Sequence, residues 1–458
     1  MSRVWSVFAA VAIVAAPVAR AQTLDETTLR ASTAALQDDT AWSLLESLTT
    51  EVGARPVGTP AMDKARDWGV AKLRALGFRN IHVERFTTPT WRREGMDVAE
   101  IVSPRPQRLH VLALGNSSTT PEAGITAPIM LFKSYQEMLA QPPGSLKGKI
   151  AVVTQPMTRT QDISGYVAAS PQRRSGPAEA AARGAVGYLV RSLSTDDTQL
   201  PHTGGARAGG IPAGALSPPD AELLERLADR GTVSIKLRFA SASNPETPAY
   251  NISGEIPGTT GEIVIVGGHL DSWDVGTGAV DDASGIAIAM AAAKLAAANQ
   301  PRPRRTIRVV LWGSEEQSGS GAAYAKAHAG ELSRIVLAGE SDTGADRIFA
   351  VSLPKDSATH PAMRAFQAAM VPLRIPTLRS VAADGGSDVS EMVEAGVPTV
   401  ALLQDLTRYM DLHHSDDDTL DKVDPRQLRQ NVAAWTALLH AVAYGDIDFR
   451  KLAIAMAP

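Results

Sequence analysis

Four short clusters carry most of the side chains that a hydrolytic or metal-binding centre needs. The first sets His269 and Asp271 in a glycine-rich stretch, with Asp281 and Asp282 following. Imidazole and carboxylate together suit a divalent cation such as zinc, and a carboxylate beside a ligating histidine fixes its tautomer, a part for which Asp271 is well placed. Asp281 has two oxygens with which to bridge a pair of cations about 3.5–4 Å apart. The second cluster is Glu315 and Glu316, whose adjacent side chains point in different directions, so that one binds metal while the other faces substrate and water. The third ends on Asp342, a terminal carboxylate ligand, and the fourth runs His413, His414, Ser415 and then three aspartates.

Each cluster alone has a plainer explanation. A histidine beside an aspartate is commonly a surface pair, and two glutamates opening a helix complement its dipole. An aspartate after a strand is a common turn or cap residue, and a His- and Asp-rich loop is commonly a charged surface. What sets these residues apart is where the surrounding elements put them. Apolar runs at 262–268, 306–312, 335–338 and 397–403 read as strands, with helices at 283–298 and near 319–329 between them. Strands alternating with helices predict an α/β fold, a mostly parallel mixed sheet with helices on both faces. In such sheets ligands bind beyond the carboxyl ends of the strands. His269, Glu315, Glu316, Asp342 and His414 all follow strand ends, so the topology brings them to one rim.

Upstream, residues 26–48 and 60–76 read as amphipathic helices around a Gly/Pro-rich loop at 53–60, followed by a strand near 80–86. Between about 125 and 240 the texture changes to short apolar strands, among them 150–154 and 186–190, separated by many Gly and Pro residues. This stretch lacks the acidic and histidine clusters and reads as an inserted domain. The final helix has a clear start, with Asp424 at the N-cap, Pro425 at the first position and Gln427 at the third.

The chain has 458 residues and no cysteine, so its metal site draws on His and carboxylate alone. Its net charge of −4 gives no footprint for nucleic acid. Arg3, a short apolar run at 7–17 and the small residues Ala19 and Ala21 flanking Arg20 read as a signal peptide over 1–21. The run is too short to span a bilayer, and no later run is long enough to do so, so the expectation is an exported, periplasmic or extracellular chain without a membrane span.

In order and spacing the clusters resemble the two-zinc exopeptidase family of bacterial leucyl aminopeptidases and glutamate carboxypeptidases, most of all its plasma glutamate carboxypeptidase branch. The segments that carry the likeness are GGHLDSWDVGTGAVDDASG at 267–285, RRTIRVVLWGSEEQ at 304–317, ESDTG at 340–344, GGSD at 385–388, EAGVP at 394–398 and HHSDDDT at 413–419. The likeness is dense over 246–446 and looser over the insertion. It implies a zinc-exopeptidase catalytic domain split into 22–122 and 246–458, interrupted by a protease-associated domain at 123–245. It assigns one zinc to His269 and Asp342, the other to Glu316 and His414, and the bridge to Asp281. It makes Glu315 the general base and Asp271 the carboxylate that orients His269, and it matches the Asp281–Asp282 bond to a cis peptide. His413 becomes a candidate oxyanion donor, and Ser387 and Asp388 lie close behind the site.

The implied reaction is hydrolysis of dipeptides or short peptides by a metal-activated water, with small peptides as partners and a homodimer by analogy. Two other readings share the fold: a single-zinc acyltransferase of the glutaminyl-cyclase type, and a catalytically inactive binding protein. Both are disfavoured because all five metal ligands are present.

Overall fold

A computed structural model describes residues 23–353, 357–378 and 385–453. The expected leader at 1–21 lies outside the described residues. The chemistry-bearing half is built on a five-stranded sheet in the spatial order Arg79–Arg93, Ser241–Ile256, Thr306–Trp312, Ile263–His269, Ile335–Glu340. The last three strands run parallel and the pairings of the first two are antiparallel, so the sheet is mixed, with its parallel strands on one side. A parallel bridge from Ala338 to Thr399 joins it to a three-stranded sheet of Thr377–Leu378, Ile348–Ser352 and Ala401–Gln404.

Alternation along the central strands explains why both faces are covered. Val264, Val266, Ile307, Val309 and Leu311 point into one core, and Ile263, Ile265, Val310 and Trp312 point into another. The larger core is closed by the helices Leu24–Ala35, Thr40–Glu51, Ser284–Ala297, Pro361–Leu373 and Pro425–Tyr444. Helix 284–297 is apolar almost all round, as a helix packed between a sheet and other helices must be. The opposite face is covered by Ser320–Ala327 and Ser390–Glu394, where Tyr324 meets Trp312 edge-on at 5.0 Å.

Two local expectations need revising. The single helix read over 26–48 is two helices, broken at 36–39, where Asp38 turns its carboxylate to the backbone N–H of Thr40 at 2.8 Å. The strand near 80–86 extends over Arg79–Arg93. The final helix starts as expected, with Asp424 capping the N–H of Arg426 at 2.8 Å, Pro425 in the first turn and Gln427 at the third position. The Gln427 side-chain oxygen accepts from the N–H of Arg347 at 2.8 Å and ties that loop to the helix.

A second, eight-stranded sheet takes its strands from 98–238, starting upstream of residue 123. Its middle strands Ile125–Phe132, Ile150–Val153, Gly187–Arg191 and Ala213–Leu216 are parallel neighbours. The two sheets are connected by the ribbon of Arg79–Arg93 against Ser241–Ile256, paired from Arg79 opposite Glu255 to Arg93 opposite Ser241. Among the described residues no helix is long and apolar enough to cross a membrane.

The last helix also carries a titrating group away from the rim. His440 is 1% exposed, bonded through Nδ1 to the Thr28 hydroxyl at 2.9 Å and stacked on Tyr444. Burial, with Arg30 nearby, pushes its pKa down to about 4. The unfolded chain therefore binds a proton that the folded chain refuses between about 6.5 and 4. This contribution to stability is complete above the upper value and is lost as pH falls through the window, by about 3 kcal/mol. Urea unfolding curves across this range should show that loss in the wild type and a flatter profile in His440→Gln.

Candidate active site

The carboxyl ends of the parallel strands 263–269, 306–312 and 335–340 open on one edge of the sheet, and the residues there converge as their spacing predicts. His269 ends its strand fully buried, with Nε2 lying 3.0 Å from Asp281 Oδ1 and 3.2 Å from Asp342 Oδ1. The other oxygen of Asp281 faces a different partner. His414 Nε2 is 3.1 Å from Asp281 Oδ2 and 3.2 Å from Glu316 Oε2. One carboxylate thus stands between two pairs, His269 with Asp342 and His414 with Glu316. His269 and Asp281 also lie close to Glu316, His269 and Asp342 to Asp282, and Asp281 to both His413 and His414. The direct contacts separate the pairs more sharply, and Asp282 is otherwise engaged.

Both oxygens of Asp282 accept backbone N–H groups at 3.0 Å, Oδ2 from His269 and Oδ1 from Gly285. It therefore fastens the strand end to the helix that follows. The Asp281–Asp282 peptide is cis. Glycine is required on both sides of this knot. A Cβ on Gly268 would lie 2.6 Å from Asp282 Oδ2, and one on Gly285 would collide with the carbonyl of Ser341.

Asp271 faces His269 with both its carbonyl and its carboxylate. His269 Nδ1 is 2.9 Å from the backbone oxygen of Asp271 but 3.6 Å from its carboxylate, so the carbonyl orients the ring. The carboxylate instead accepts the N–H groups of Glu315 at 3.0 Å and Glu316 at 3.2 Å, fixing the turn from which both glutamates project.

Glu315 and Asp342 are partly exposed and form the open side of the rim, whereas the Glu316 side chain is buried. Desolvation, with the charge of Asp342, lifts Glu315 well above the usual carboxylate range. Desolvation likewise raises Asp342 and Glu316. His414 is drawn down by burial but pushed up to about 10 by Glu316 and Asp281. Glu316 Oε1 is buried without a hydrogen-bond partner. So many carboxylates in so little water, one oxygen of them orphaned, form a donor set suited to divalent cations.

His413 stacks on His414 with ring centres 3.5 Å apart, and its Nε2 is 3.9 Å from Asp281 Oδ2. Burial and the charge of His414 hold it well below its ordinary pKa, so it is neutral. Asp388 lies behind the rim, accepting from the Ser320 hydroxyl at 2.5 Å while its N–H donates to Glu340. Ser387 is exposed, and its carbonyl takes the Ser390 hydroxyl.

Residues 251–439 match the family described as Peptidase family M28. Carboxypeptidase Q of Mus musculus is 34% identical over 88% of this chain and 84% of its own length. The Homo sapiens protein of that name is 34% identical over 87% and 84%. The chain belongs to peptidase family M28. The crystal structure of a peptidase M28 precursor from Shewanella amazonensis SB2B shares this peptidase's fold, with TM-score 0.86 and 41% identity over 91% of this chain and 96% of that one. The zinc aminopeptidase of Bacillus subtilis shares the architecture at TM-score 0.64 and 20% identity, over 89% and 95%. This M28 chain is a hydrolase of the metallo-exopeptidase kind.

Several residues of the M28 site were not singled out from sequence. Asp418 accepts the N–H of Val280 at 2.5 Å, and burial together with Asp281 pushes its pKa up to about 7. Arg55, from the Gly/Pro-rich loop, is fully buried and donates to the carbonyls of Leu270, Thr277 and Gly278, which braces the segment between His269 and Asp281. The signal available in the sequence was a lone arginine within a glycine- and proline-rich turn. Trp273, whose ring centre lies 5.5 Å from that of His414, walls the rim on the side of the second sheet.

Proposed function

We propose that the chain hydrolyses peptide bonds of dipeptides or short peptides as a two-zinc exopeptidase. The observation that carries this reading is the split of Asp281, with Oδ1 toward His269 and Asp342 and Oδ2 toward His414 and Glu316. His269 and Asp342 would hold one zinc, Glu316 and His414 the other, and Asp281 would bridge them. Bound there, zinc would supply a water that ionises near neutral pH and a Lewis acid for the scissile carbonyl oxygen.

The chain's own residues do the rest. Glu315, held by the Asp271 carboxylate through its N–H, accepts the proton of the attacking water and passes it to the leaving nitrogen. Asp271 positions this base through the turn and His269 through its carbonyl. Neutral His413, beside the rim, donates to the oxyanion. The chain division follows the same reading: an exported precursor with a leader at 1–21, a catalytic domain in two parts, and an insertion of the protease-associated type between them.

Zinc analysis of the purified chain tests the reading against its rivals. Two ions per chain are expected, whereas one fits the acyltransferase and none the inactive binding protein. A dipeptide panel with free and blocked termini then identifies the end that is read. Loss of turnover when both termini are blocked supports exopeptidase action, and equal cleavage of doubly blocked peptides overturns it.

A further inference from the structure

His269, Glu316 and Asp342 project from strand ends or the turns just beyond them, but His414 does not. It sits in a loop on left-handed backbone, φ 59°, beyond the short turn Tyr409–Asp411. What fixes this loop comes from the other sheet's part of the chain. Asp411 Oδ1 accepts both the N–H and the hydroxyl of Thr195 at 2.7 Å, and Oδ2 accepts from Arg159 at 2.6 Å. Arg159 Nε also donates to the Thr195 hydroxyl at 2.7 Å, closing a three-residue ring.

Just beyond, the carbonyl of His413 meets His202 Nδ1 at 2.8 Å, and the carbonyl of His414 accepts the N–H of Thr203 at 3.0 Å. The bond that matters most runs the other way: His414 Nδ1 donates to the carbonyl of Thr203 at 3.3 Å. His269 finds the equivalent partner two residues along its own chain. The two histidines of the rim are therefore aimed by different halves of the protein.

We propose that the segment 195–203 is the positioning element for the His414 side of the centre, latched by Asp411, Arg159 and Thr195. This latch, which rests on the two-cation reading above, makes the His414–Glu316 pair competent for its cation only while that segment is seated against the loop. The His269–Asp342 side takes its supports from Asp271 and Asp282 and is independent of the latch. A ligating histidine that loses its outer partner loses about ten- to a hundredfold in metal affinity.

The test is calorimetric titration of the metal-stripped full chain with Zn2+. The wild type should show two binding steps, and a single step would sink the two-cation reading, and the latch with it, before any variant is made. Arg159 is a suitable probe because its side chain is 47% exposed, so the fold survives its loss. Arg159→Ala should weaken one step at least tenfold and leave the other within twofold, and Arg159→Lys should recover part of the difference. Combined variants identify the step. In Glu316→Gln, adding Arg159→Ala should leave the remaining step unchanged, whereas in Asp342→Asn it should weaken it. Equal weakening of both steps, or of neither, overturns the latch while leaving the two-cation reading intact.

Discussion

Glu315→Gln retains its zinc and loses nearly all turnover. The substitution keeps the size of the side chain and the backbone N–H that binds Asp271, so the turn holding Glu316 stays in place. What disappears is the proton acceptor. General acid–base catalysis contributes about 10²–10⁴-fold, and kcat for a cleavable dipeptide should fall within that range. KM should change little, because the metal pairs His269–Asp342 and His414–Glu316 do not involve Glu315. Metal analysis and kinetics on one preparation decide the matter. A near-wild-type kcat removes Glu315 from the proton-transfer role, and a loss of metal makes it a ligand.

Asp281→Ala should be the most damaging substitution at the metal centre. Asp342→Ala or Glu316→Ala each strips one pair and should cost one zinc ion. Asp281 serves both pairs through separate oxygens, so its loss should reduce metal content at both positions and abolish turnover beyond the effect of Glu315→Gln. The damage should extend to folding, because Glu316 and Asp342 are then left around too few cations. A thermal melt with and without chelator measures this. The wild type should lose stability on chelation, and Asp281→Ala should melt near the chelated wild type with little further change. An Asp281→Ala chain that keeps both ions and a wild-type melting temperature would refute the bridging assignment.

The rim was legible in the sequence because it is built from side chains of distinctive chemistry placed at the ends of periodic apolar strands. His269 and Glu316 could be read this way because strand alternation is local and ligand types are few. What escaped has the opposite character. The partner of His414 Nδ1 is the carbonyl of Thr203, and a carbonyl leaves no mark on residue identity. The nearest partner of His269 Nδ1 is likewise a carbonyl, that of Asp271, at 2.9 Å against 3.6 Å for its carboxylate. Asp411 and Thr195 are ordinary surface types until the fold sets them 2.7 Å apart. The helix break at 36–39 was hidden because the apolar periodicity continues across it while the hydrogen bonds do not. The eight-stranded sheet's use of strands from 98 onward was hidden too, since long-range pairing decides it.

The ribbon that connects the two sheets has a mechanical consequence. Entry and exit segments usually act as independent tethers, so an inserted body swings about two loose points. Here the two segments are laced to each other from Arg79–Glu255 to Arg93–Ser241, so that neither moves without the other. The contacts of Asp411 with Thr195 and Arg159 give the second sheet's part of the chain another attachment, beside the rim itself. Two separate fastenings, one along the ribbon and one at the loop that carries His414, hold that part in register with the metal rim.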